Sequence, residues 1–188
     1  LVIRLKDDSA HLSGALPMNE SHEIAVGDTD SRFALFVTRA AVKFTYRITN
    51  NNDRDLLLTD LTIDKMARKE YYMPHGAEIV SYEAAESEYY TFAYTDETAS
   101  GTGIRLPQGK TVELPRIYLL EGKYTDPYAM SLTINGLRQD RFFPALPQLP
   151  RNTHVVININ IRKDATVHWE ADVVPYETVP PLEPEFGL

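Results

Sequence analysis

The chain contains no cysteine, and that absence removes disulfides, thiolate nucleophiles, iron–sulfur clusters and cysteine zinc sites together. It leaves the compartment open. There is no run of about 18 apolar residues of the kind that crosses a bilayer as a helix. Positive charge is scarce, with 19 Lys plus Arg against 27 Asp plus Glu and a net charge of -8. A field of that sign repels a phosphate backbone, so nucleic acid is not an expected partner. The opening residues LVIRLKDDSAHLSG lack a basic start, a long apolar stretch and a small-residue cleavage site. No signal peptide is therefore expected in this chain, and an exported protein would be present in a mature or trimmed form.

The 188 residues, 43% of them hydrophobic, suffice for one large domain or for one domain plus a fragment of another. Apolar residues recur with period two, which predicts sheet. From Arg39 to Ile48, Ala40, Val42, Phe44, Tyr46 and Ile48 face one side while Lys43, Thr45 and Arg47 face the other. The run Thr49 to Asp53 then reads as a turn, and Leu57, Leu61 and Ile63 continue the apolar pattern on a following strand.

Further strands are predicted at Tyr89 to Tyr94, Thr111 to Leu120, Ala129 to Asn135, Val155 to Arg162 and Thr166 to Val173, the last two joined by a hairpin at Lys163-Asp164. Three prolines between Phe143 and Asn152 predict an irregular connection. Glu78 to Ser87 permits a short helical turn or a solvated loop, and Pro175 to Leu188 reads as an extended tail. Many short strands between turn signals indicate an antiparallel β-sandwich, hence the all-β class.

The residues ask for no catalytic chemistry and no cofactor. His11, His22, His75, His154 and His168 are at no metal-ligand spacing from one another. His168 and Glu170 share a strand face and are best read as a solvent-facing pair. No G-x-S-x-G elbow occurs. Gly101-Thr102-Gly103 and Gln108-Gly109-Lys110 lack phosphate-loop spacing and read as a loop and a hairpin turn. Between Ala77 and Gly103 six acids (Glu78, Glu83, Glu86, Glu88, Asp96 and Glu97) interleave with tyrosines and no Lys or Arg. Such a stretch can hold calcium or present tyrosines to a sugar, but a polar loop leading into an aromatic strand is the favoured reading. Asp28 and Asp30 raise the calcium question more weakly.

Three segments resemble the fimbrillin superfamily of Bacteroidales bacteria. LPMNES, then IAV, then LFVTRAAVKFTYRI ending at Ile48 is similar to the passage from the first domain into the main strand of the second. LPRNTHVVININIRKD, Leu149 to Asp164, resembles the penultimate strand with its lead-in, and ATVHWEADVVPYETVPPLEPEFGL resembles the last strand and tail.

The resemblance implies transthyretin-like β-sandwich domains, export as a lipoprotein to the outer membrane, and trimming that opens a groove for strand exchange. It places residues 1–30 as the remnant or end of an N-terminal domain, and residues 31–188 as the C-terminal sandwich with its tail. It also implies a structural or adhesive subunit of a cell-surface pilus, of tip or anchor type. Expected partners are other pilus subunits and a host protein or glycan, with the precursor held to the membrane by lipid.

A segment from a neighbour that pairs with an open sheet border satisfies main-chain groups and fills an apolar groove at once. In the tail Val179, Leu182, Phe186 and Leu188 are the candidate donor residues, and folding back along its own domain is the equal alternative. A secreted carbohydrate-binding sandwich is the competing reading, with Tyr89, Tyr90, Tyr94 and Trp169 as stacking residues.

Overall fold

The computed structural model describes residues 2–4, 16–28, 32–63, 66–67, 70–72, 90–93, 103–122, 128–143, 151–164 and 166–175. All regular structure among them is β. In chain order the strands are β1 (Val2–Arg4), β2 (Met18–Asn19), β3 (Thr38–Arg39), β4 (Ala41–Asn50), β5 (Leu56–Ile63), β6 (Met66–Ala67) and β7 (Glu70–Tyr72). There follow β8 (Tyr90–Ala93), β9 (Ile104–Leu106), β10 (Thr111–Glu113), β11 (Ile117–Gly122), β12 (Tyr128–Ile134), β13 (Leu137–Phe143), β14 (Thr153–Ile161) and β15 (Val167–Pro175).

Two sheets face each other across one core. The six-stranded sheet runs β15-β14-β4-β11-β6, with β10 also on β4, and the five-stranded sheet runs β13-β12-β5-β8, with β9 also on β5. Alternation decides which side chains enter the core. Val42, Phe44, Tyr46 and Ile48 of β4 and Val155, Ile157, Ile159 and Ile161 of β14 meet Leu58, Leu61, Ile63, Met130 and Leu132 of the other sheet. The buried Tyr46 hydroxyl donates to Met130 Sδ at 2.8 Å and so spans the two layers.

Among the described strands the pairing is antiparallel with one exception: β14 lies parallel to β4 along its whole length, from Thr153 opposite Val42 to Ile161 opposite Asn50. An antiparallel partner needs only a hairpin, whereas a parallel one needs a long return of the chain.

Proline and a bulge set the other departures from the sequence pattern. Thr111 to Leu120 is two strands, because Pro115 has no N–H for the ladder. β10 takes the Arg47 end of β4 and β11 the Phe44 end, with Leu114 N donating to the Tyr46 carbonyl at 3.0 Å between them. In β5, Leu58 pairs with Ile134 but Asp60 pairs with Thr133, so Thr59 is an extra residue. Leu56 and Leu58 therefore face inward before the bulge and Leu61 and Ile63 after it, while Leu57 faces solvent.

The turns are specific. Asn135 and Gly136, both at positive φ (48° and 78°), join β12 to β13 in the two-residue form whose twist matches the strands, and glycine takes the second position without a Cβ clash. Gln108-Gly109-Lys110 is a turn closed by Lys110 N to the Pro107 carbonyl, but it carries the chain from one sheet to the other and is not a hairpin, since β9 pairs with β5 and β10 with β4.

The expected polar turn after Ile48 holds a buried hub. Asn50 Nδ2 donates to the carbonyls of Arg54 (2.9 Å) and Leu106 (2.8 Å), and its Oδ1 accepts Asn52 N (2.9 Å). Asp55 closes the same corner by accepting Gln108 N and Arg105 Nε. The possible helical turn at Glu78 to Ser87 lies outside the described residues.

Candidate assembly surface

The six-stranded sheet ends at β15 and the five-stranded sheet at β13; among the described residues each pairs on one side only. A border strand presents unpaired N–H and C=O groups that another chain can match. On β15 His168, Glu170 and Asp172 face solvent: His168 Nε2 stands 3.3 Å from Glu170 Oε1, with both residues exposed, the solvent-facing pair read from the sequence.

Before β4 lies an irregular strap, residues 16–28 and 32–39, whose two limbs are cross-tied. Met18 and Asn19 pair with Arg39 and Thr38. Thr38 Oγ1 donates to Glu20 Oε2 at 3.0 Å, and His22 Nε2 donates to the Phe36 carbonyl at 2.6 Å. The strap is anchored at its base. Ala40 N donates to the Pro17 carbonyl at 2.8 Å, and the buried Arg151 Nη1 donates to Asn19 Oδ1 at 2.9 Å. Asn152, at φ 61°, accepts Arg39 Nη1 on its side-chain oxygen and donates its N–H to the Ala41 carbonyl. His154 Nε2 shares a hydrogen bond with Thr45 Oγ1 at 3.0 Å. The Arg-Asn-Thr-His lead-in is thus where strap, β4 and β14 are fastened together.

Away from that base the strap leaves Ile24, Val26, Phe33, Leu35, Phe36 and Val37 exposed, Val26 by 90% and Phe36 by 70%. Scattered apolar residues on a surface are ordinary, but six large ones in so short a stretch make a candidate contact surface. Sequence reasoning missed it. The signal was the unbroken Leu35-Phe36-Val37, which fits neither side of an alternating strand.

The predicted site residues are not brought together. Val179, Leu182, Phe186, Leu188, Tyr89 and Tyr94 lie outside the described residues, as do the six acids of the 78–97 stretch. Tyr90 is on β8, its backbone paired with Ile63. Trp169 is 8% exposed and part of the core, so it is not a stacking platform. Among the described residues no group of three His, Asp or Glu is placed to hold a metal ion.

Among the described residues two carboxyls are held below their ordinary value. The backbone N–H of Gln108 and then the Arg105 guanidinium lower Asp55. The Thr166 hydroxyl, followed by its backbone N–H, lowers Asp164. Both carboxylates stabilise turns.

A two-layered, mixed β-sandwich with open borders and an apolar strap is the class of protein these features define. The sequence matches no protein-family model and no curated protein. Among solved structures, the tip fimbrial protein Mfa3 of Porphyromonas gingivalis, with a C-terminal truncation, is similar in fold over 94% of this chain and 70% of its own, at a TM-score of 0.54 and 13% identity. A candidate cell adhesion protein of Bacteroides uniformis is similar over 75% of this chain and 52% of its own (TM-score 0.43, 17% identity). One of Parabacteroides distasonis covers 77% and 54% (TM-score 0.45, 14% identity). The chain spans about half the length of these last two proteins. The likeness to Mfa3 is one of fold, and it agrees with the fimbrillin-type sandwich that the sequence resemblance implies.

Proposed function

We propose that this chain is a structural or adhesive subunit of a cell-surface pilus, of tip or anchor type, that joins its neighbours by strand exchange and carries out no catalysis. The observation that carries the reading is the shared fold with a tip fimbrial protein over 94% of the chain. The exposed strap supports it, since Phe33, Leu35, Phe36 and Val37 supply the apolar surface that a neighbouring subunit covers. The open borders β13 and β15 support it as well, because a partner strand laid there completes both the ladder and the apolar layer beneath.

In this reading residues 1–30 belong to the end of a preceding domain, and the precursor is a lipid-anchored protein of the outer membrane. Its partners are other pilus subunits and, at the fibre's outer end, a host protein or glycan. The experiment is to produce the precursor with and without its first strand and run both unboiled in SDS. The trimmed form should give a ladder of SDS-resistant oligomers; monomers alone in both preparations would remove strand exchange.

A further inference from the structure

One end of the sandwich gathers four turns: 51–55, 107–110, 135–136 and 162–166. Backbone bonds hold them together, from Asn50 N to the Lys110 carbonyl and from Asn51 N to the Ile161 carbonyl. Leu57 N donates to Asn135 Oδ1 on the same corner. A cleft of about 60 Å³ opens at this end beside the turns 51–55 and 135–136, with Leu56, Ile134, Leu137, Ile161 and Val167 as its floor. Asn52, Arg54 and Gln139 form the rim.

Leu137 is the unusual member. It pairs with Ile134 across the hairpin and so points to the same inner face, yet it is 65% exposed where Ile134 is 7%. β13 is a border strand, and across the cleft Leu137 looks toward Ile161 and Val167, which flank the β14–β15 turn. An inward-directed leucine is left uncovered.

The charge at this end runs against that of the whole molecule. The chain carries -8, but the four turns and the residues flanking them hold Arg54, Arg105, Lys110, Arg138, Arg162 and Lys163 against Asp53, Asp55, Asp140 and Asp164, with Glu113 neutralised by Arg47. Arg105 is matched by Asp55 and Arg138 by Asp140, and Arg162 lies in the field of Asp164. Among the described residues Arg54, Lys110 and Lys163 have no carboxylate partner. Arg54 lines the cleft, the Lys110 and Lys163 backbones are tied to Asn50 and Asn52 at the same corner, and Asp53 is the one acid among the described residues there without a cationic partner. An excess of cations around an apolar cleft specifies a ligand that is apolar at its centre and anionic around it.

We propose that this turn-bearing end docks an acidic segment of a protein partner, one aliphatic side chain entering the cleft and its flanking carboxylates meeting Arg54, Lys110 and Lys163. A peptide fits better than a sugar. The floor is aliphatic and offers no aromatic plane to a pyranose ring, and the volume suits a single side chain. The surface lies at one end of the sandwich, and its use does not depend on how subunits join.

The test is an amide NMR titration of the 188-residue chain with the capped peptide Glu-Asp-Leu-Asp-Glu, beside a version with alanine at its centre and with a sialylated trisaccharide. Saturable shifts should be confined to the four turns and to β13 near Leu137. Arg54→Glu and Leu137→Ser, both at exposed positions, should each weaken binding about tenfold while leaving core amides such as Ile157 in place. Binding should also fall as salt is raised from about 0.05 M to about 0.3 M. Shifts elsewhere, equal binding of the alanine-centred peptide, or a response to the sugar alone would each overturn the proposal.

Discussion

The strap and the β4–β14 pair are both rich in apolar residues, and the molecule treats them in opposite ways. In β14 every second residue is buried, with Val155, Ile157 and Ile159 fully enclosed. In the strap, Leu35, Phe36 and Val37 follow one another and all are more than half exposed. Apolar content alone therefore does not make a core. Period decides, because a strand can send only alternate side chains to one face, and a run of three must leave some of them elsewhere. What remains outside after folding is available for association.

That contrast can be broken or sharpened by substitution. Phe44→Ala in β4 removes a fully buried ring and should destabilise the fold by about 3–5 kcal/mol in urea unfolding. Phe36→Ala in the strap should stay within about 0.5 kcal/mol of the parent. A large loss at Phe36 would mean that the strap belongs to the core after all.

Asn50→Ala should cost about 2–4 kcal/mol in the same assay, because two carbonyls and the Asn52 N–H lose their partner, two of those bonds being in buried surroundings. Arg151→Ala should cost less, about 2 kcal/mol, and its distinctive effect should be local. Without Arg151 the base of the strap loosens around Asn19, whose Nδ2 already has no hydrogen-bond partner. Limited proteolysis should then cut between Ser21 and Asp28 sooner than in the parent, while the β14 amides keep their protection from exchange.

The smallest effect concerns pH. Asp55 and Asp164 are held below their ordinary value of 3.8 in the folded state. Their contribution is thus present above that value and disappears as pH falls through the lower folded value. The melting temperature should decline as pH drops below about 4, and Asp55→Asn should make the decline shallower. Both groups are exposed, so the changes should be of a few degrees at most and should shrink in high salt.

Much of the fold was legible in the chain. β4, β14 and β15 are long and cleanly alternating, and their bounds fall within a few residues of those read from the pattern. β13 was not seen, because as a border strand its residues Leu137 to Phe143 are largely polar and do not alternate, although Asn135-Gly136 was a sufficient hairpin signal. Leu57 was assigned to the wrong face because a bulge at Thr59 changes parity without changing composition. The parallel pairing of β14 with β4 is a matter of which strands meet, and periodicity carries no record of that. Trp169 looked available on an alternating strand because sequence does not say which face is covered. The candidate surface was the least legible part: the strap left only the unbroken Leu35-Phe36-Val37 as a signal, and the basic end is built from turns far apart in sequence.

Open sheet borders as the working surface are the centre of this account, and amide hydrogen exchange on the monomer and on the assembled oligomer measures them directly. The account predicts that assembly slows exchange along β15 or β13 and covers the strap from Phe33 to Val37. Unchanged exchange at both borders, with new protection only elsewhere on the sandwich, would contradict it.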